Sequence, residues 1–193
     1  MGRLLWVGTV LVLCAALFQC SSSGSIYRSS MFEGRRFLGE GEYKTAEQDF
    51  VKATQVAPDA RSYAFAATAA YKLKDYTEAE RFIEEAARRD GRSYAYLRIV
   101  GYRALILLAQ GKQKEGLDVL HQYLDAYNRV YPLTTIRDVE QMWKRGKVDL
   151  PLLEVLLDDQ IDTYENELEE YWSTGTGFYG NRSTANPTSG ANH

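Results

Sequence analysis

Apolar and small side chains recur at helical spacing through most of the chain, and in two stretches they recur in the same order. Gly41-Glu-Tyr43-Lys-Thr-Ala46 runs on through Phe50 and Ala53 to Pro58, and Asp75-Tyr76-Thr-Glu-Ala79 runs on through Ile83 to Ala86. Tyr43 and Tyr76 lie 33 residues apart. A period of that size predicts stacked helix–turn–helix units. Ala46 and Ala53 are seven residues apart, on one helix face, where small side chains let a neighbouring helix approach. Tyr43 and Phe50 fill the gap between units. Pro58 ends the second helix, because the residue before a proline disfavours helix. In the first unit Gly34 and Phe37 supply the small and aromatic positions of the first helix, and Gly41 makes the turn. In the second, Tyr63, Ala67 and Tyr71 line the first helix, and Gly91 stands where Pro58 stood.

A third unit is looser. The spacing predicts helices over 93–110 and 115–129 with Gly111 at the turn; Gly116 stands where alanine is expected and Gln113 where tyrosine is expected. The period stretches by four residues. Two further helices are predicted, over 135–145 and 152–172, separated by Gly146–Leu150 with Pro151 opening the second. Repeat arrays need a terminal cap with a polar outer face, and these helices supply one. Residues 173–193 are Gly-, Ser-, Thr- and Asn-rich and read as a disordered tail.

The pattern over 27–129, fullest over 27–90, resembles the tetratricopeptide repeat. The resemblance implies an all-α helix–turn–helix array of three units with carboxy-terminal capping helices. It also implies that the first helices of successive units line a concave groove. Matching unit to unit places Arg28, Met31, Arg35 and Leu38 there, then Arg61, Ala64, Thr68, Tyr71 and Lys72, then Arg98, Gly101, Leu105 and Leu108. Acids such as Glu47, Asp49, Glu78 and Glu84 gather on the second helices. Two readings stand side by side. One is ordinary solvated charge; the other is a cationic groove for an acidic or extended peptide, since guanidinium matches carboxylate through paired hydrogen bonds. The asparagines of the carboxylate-clamp members are missing, so their ligand does not transfer.

The amino terminus has its own signal. Arg3 is followed by an apolar run from Leu4 to Phe18, shorter than the 18 or more residues of a membrane-spanning helix. The run ends at Leu17-Phe18-Gln19-Cys20, followed by Ser21-Ser22-Ser23-Gly24-Ser25, which resembles a bacterial lipoprotein signal with Cys20 as the lipidated residue. Phe18 and Gln19 depart from the small residues usual there, which keeps an uncleaved anchor as the alternative. Residues 1–19 are then the signal, 20–26 a flexible tether and 27–172 the helical domain. Ser21 in place of aspartate points to the outer membrane, with the chain facing the periplasm.

Composition narrows the function. A net charge of −3 lacks the basic footprint of nucleic-acid binding. The only histidines are His121 and His193, and Cys14 leaves with the signal, so no metal cluster, nucleophile or cofactor site is expected. Asp149 to Trp172 holds nine acids and no Lys or Arg. That segment reads either as a solubilising cap or as a helix that fills the basic groove, in cis or in a second molecule. The expected function is a membrane-tethered protein-interaction scaffold, not an enzyme. Narrower alternatives are a pilotin-like or outer-membrane assembly lipoprotein, or a docking module for a cell-wall enzyme.

Overall fold

Capping and turn chemistry divide the chain into helical hairpins. A computed structural model describes residues 23–91, 94–130 and 136–175. Helix α1 spans residues 23–39, followed by α2 (Tyr43–Val56), α3 (Ala60–Lys72) and α4 (Tyr76–Arg89). Then come α5 (Tyr96–Ala109), α6 (Gln113–Val130), α7 (Ile136–Arg145) and α8 (Leu150–Thr174). Among the described residues there is no strand. The N-cap carboxylates Asp59, Asp75 and Asp149 accept hydrogen bonds from Ser62, Glu78 and Leu152 N–H groups, opening α3, α4 and α8. Each hairpin turn needs one left-handed residue. Gly41 (φ 80°) and Gly111 (φ 77°) serve two of them, and Lys74 (φ 63°) serves the third at a side chain's steric cost. The α2 helix stops at Val56, with Ala57 extended ahead of Pro58.

The chain forms two compact units that divide after Gly91. In the first, α2 packs on α3 and α3 on α4. Ala46, Phe50, Ala53, Ala79 and Ala86 are fully buried, and Tyr43 and Tyr76 half-buried. Gly34 is small for a visible reason: a Cβ there would sit 2.6 Å from the Phe50 ring. In the second unit, α5 pairs with α6, α7 lies on α6 and α8 on α5. Gly116, the departure from alanine, has an equally local cause. A Cβ there would lie 2.6 Å from Leu108 Cγ and 3.2 Å from the Leu108 backbone nitrogen. Gln113, the departure from tyrosine, donates from Nε2 to the Gly146 carbonyl at 3.3 Å.

Two boundaries differ from expectation. Residues 23–26, assigned to the tether, are instead the first turn of α1. Helix α8 begins at Leu150 and ends at Thr174 with Gly175 left-handed (φ 70°), slightly longer at both ends than 152–172. The signal segment 1–19, Cys20 and tail residues 176–193 lie outside the described residues.

Candidate partner-binding surface

The first-helix face of the first unit is built around one aromatic ring. Phe65, on α3, stacks on Phe50 at 5.2 Å between centroids and is 2% exposed. Two guanidinium groups lie near it: Arg35 of α1 at 5.6 Å from the ring centroid and Arg61 of α3 at 6.0 Å. Both side chains are half-buried, as are Leu38 and Lys72, whereas Arg28 is exposed. Tyr27 ties α1 to the start of α3 by donating to Asp59 Oδ2 at 2.5 Å. Burial, then that hydrogen bond and the Asp59 charge, push the Tyr27 hydroxyl well above its ordinary value. The structure therefore brings Arg35 and Arg61 to one place. It does not deliver Tyr71, which is 4% exposed and packs at 5.6 Å against Tyr76. Its ring belongs to the core of its own hairpin, because a large apolar body one turn before the α3–α4 corner is covered by the returning helix. Ala64 and Thr68 are buried as well.

In the second unit the corresponding face is covered. Arg98, expected to line an open groove, is 2% exposed: α8 lies over α5 and surrounds it with acids. Its Nε donates to Glu165 at 2.8 Å, and one terminal nitrogen donates to Glu165 (2.8 Å) and to Asp162 (2.6 Å). Burial works against the guanidinium charge. The charge and hydrogen bond of Glu165, with the charge of Asp162, outweigh it and hold Arg98 above its ordinary value. Tyr102 donates to Asp158, Tyr123 to Gln160 at 3.0 Å and Tyr94 to Glu169 at 2.8 Å. Gly101 leaves room for this packing, since its Cβ would come within 2.9 Å of Ile161 and 3.2 Å of Leu157.

The tyrosines of this interface predict an alkaline limit. Burial first, then the Asp158 charge for Tyr102 and the Tyr127 interaction for Tyr123, push both hydroxyls well above the ordinary tyrosine value. A raised folded-state value means the contribution is complete below the unfolded value of about 10 and is lost as pH rises beyond it. The melting temperature should hold from pH 7 to 9 and fall above about pH 10, and less steeply in Tyr102→Phe. A melting series showing equal slopes for both proteins would refute the assignment.

A cavity of about 530 Å³ lies between α7 and the start of α8, lined by Met142, Val148 and Leu152 with Arg145 and Lys147. On the α6–α7 contact, His121 stacks on Trp143 at 4.3 Å. Among the described residues, no group of His, Cys, Asp and Glu could hold a metal ion. No described helix is long and apolar enough to cross a membrane.

Comparison with solved structures places this geometry. The TPR2B-domain:pHsp70-complex of yeast Sti1 superposes with a TM-score of 0.56 at 20% identity, over 63% of this chain and 96% of that one. The TPR2AB-domain:pHSP90-complex of yeast Sti1 gives 0.54 at 19% identity, over 72% of this chain and 55% of that one. The fold is a tetratricopeptide-like helical array. No family model matches the chain, and no curated protein matches its sequence.

The tetratricopeptide-like register exposes a recurrence that the cation positions alone do not reveal. Each first helix carries an arginine with an aromatic residue four positions later: Arg28 and Phe32, Arg61 and Phe65, Arg98 and Tyr102. The steps are 33 and 37 residues for both members, matching the repeat period and its stretched third unit. Residues four apart share a helix face. In α3 and α5 the guanidinium lies near the paired ring, at 6.0 and 5.9 Å from the centroid. Aligning the aromatic residues of the first helices, as well as their cations, would have found it.

Proposed function

We propose that this chain is a membrane-tethered scaffold that binds protein partners through the α1 and α3 face of its first unit. It would be lipid-anchored at Cys20, face the periplasm and act within an envelope assembly. One observation carries the binding part: half-buried Arg35 and Arg61, from two successive first helices, converge on the buried Phe65 ring. Cations held over an aromatic platform are pre-positioned, so a partner carboxylate loses little ordering entropy on meeting them. Both superposed neighbours are, by their descriptions, complexes of such domains with pHsp70 and pHSP90, which supports the same use. The Leu4–Phe18 run and Cys20 support the tether. Binding through Arg98 is not part of this proposal, because α8 already covers it.

The test is a crosslinked pull-down from membranes followed by mass spectrometry, comparing the natural chain with an Arg35→Glu, Arg61→Glu variant and its Arg→Lys counterpart. Matching melting curves establish that the variants fold. Loss of one partner in the Glu variant, with retention in the Lys variant, is the expected result. Affinity for that partner should fall by about thirtyfold, the scale of a central arginine anchor. Recovery of the same partners by all three chains would sink the proposal.

A further inference from the structure

The third copy of the arginine–aromatic pair shows what such a pair holds. On α5, the Arg98 guanidinium takes carboxylates from Asp162 and Glu165, and Tyr102 donates to Asp158. Those acids sit at positions i, i+4 and i+7 of α8, on one helix face. Beside that acidic stripe Leu157 and Ile161, both fully buried, press against Gly101. The occupant of this pair is thus an acidic amphipathic helix, seated by two carboxylates on the guanidinium, a third on the Tyr102 hydroxyl and aliphatic side chains against Gly101.

The second copy, on α3, is closed differently: Phe65 is buried against Phe50 with Arg35 beside it. The first copy is open. Arg28 is exposed and Phe32 is 68% exposed, the largest exposure among the large apolar side chains described. Arg28, Phe32 and Arg35 follow at i, i+4 and i+7 on α1, with Ser25 and Ser29 small beside them. The acids of this stretch, Glu33 on α1 and Glu40 just after it, are engaged by Arg36, at 2.9 Å each. The face is therefore cationic with one aromatic at its centre.

We infer that the exposed Arg28–Phe32 pair on α1 is a docking point for an acidic amphipathic helix of another protein, whose carboxylates engage the Arg28 guanidinium as those of α8 engage Arg98. The inference rests on the scaffold proposal and names its partner's chemistry. Phe32 lacks a hydroxyl, so the position that Asp158 fills on Tyr102 goes to an aliphatic side chain instead. The partner helix carries two carboxylates three residues apart, as Asp162 and Glu165 are, and an aliphatic residue one turn away. Charge complementarity sets orientation and encounter rate, while the aromatic contact supplies the anchor.

The probe is a fluorescein-labelled synthetic peptide of residues 150–174, titrated with the detergent-solubilised full chain and read by anisotropy. Arg28→Glu and Phe32→Ser should each weaken binding by about tenfold or more. Both positions are exposed, so unchanged melting temperatures are expected. A peptide with Asp162→Asn and Glu165→Gln should bind as weakly. Absence of binding, or binding unchanged by Arg28→Glu and Phe32→Ser, overturns the inference; the second result would mean that the peptide exchanges with α8 or binds elsewhere. Arg28-dependent binding to phosphatidylglycerol vesicles that the peptide cannot displace would assign the face to a membrane surface and overturn it too. A partner lost from membranes on Arg35→Glu, Arg61→Glu while the peptide ignores Arg28→Glu leaves the scaffold proposal standing and removes this one.

Discussion

Arg98→Met will destabilise the second unit by about 3–5 kcal/mol, because it strands a buried carboxylate. The side chain of Glu165 is 1% exposed and both its oxygens face Arg98. Methionine retains the aliphatic stem and removes the charge, so the loss measures the unpaired Glu165 and not a cavity. Asp162 contributes little to the penalty: its side chain is 62% exposed and remains hydrated when the guanidinium goes. The double variant Arg98→Met, Glu165→Leu should recover most of the loss, since well-packed apolar side chains often replace a buried ion pair at no net cost. Urea unfolding gives the free energies, and hydrogen exchange along α8 locates the loosening. A single variant within about 1 kcal/mol of the natural chain would mean that water reaches Glu165 and that α8 is held by its apolar face alone.

Arg98 shows where the sequence runs out. Arg28, Arg61 and Arg98 share one register position of the first helix, 33 and 37 residues apart. What register cannot supply is the neighbour across the face. The nine acids between Asp149 and Trp172, without a compensating cation, were legible as either a solvated cap or an occupant of basic residues. Only the packing of α8 on α5 decides which acids turn inward: Glu165 is buried, while Asp159 and Glu170 stay exposed. Tyr71 shows the same limit from the other side. A tyrosine in the face register reads as a contact residue, yet the chain reversal after Lys72 brings Tyr76 against it. By contrast, the ladder of Gly34, Ala46, Phe50 and Ala53 was legible because each position is fixed by a neighbour inside the same period. The departures in the third unit were visible too. Their cause was not, since Leu108 against Gly116 is a tertiary contact. The start of α1 is not legible because short Ser/Gly stretches read as linker whatever follows them.

Phe50→Ala will remove about 3–5 kcal/mol from the first unit and should weaken partner binding with it. Phe50 is fully buried, fills the space that Gly34 leaves open and stacks on Phe65. Its loss opens a cavity between the two hairpins of that unit, which the surrounding helices can only partly close. The converse change tests the same contact. Gly34→Ala drives a methyl group to 2.6 Å from the ring and should cost about 1–3 kcal/mol. Combined with Phe50→Leu, which frees volume at that spot, Gly34→Ala should cost less than the two single losses added together. The functional consequence follows from Phe65, whose ring is the platform near Arg35 and Arg61. Without Phe50 beneath it, that ring gains rotameric freedom, and the two guanidinium groups must be ordered at the moment of binding. Affinity for a partner recovered in the pull-down should therefore drop at temperatures where Phe50→Ala remains fully folded by circular dichroism. Unaltered affinity under those conditions would separate the platform from the binding face and leave Phe50 a purely structural residue.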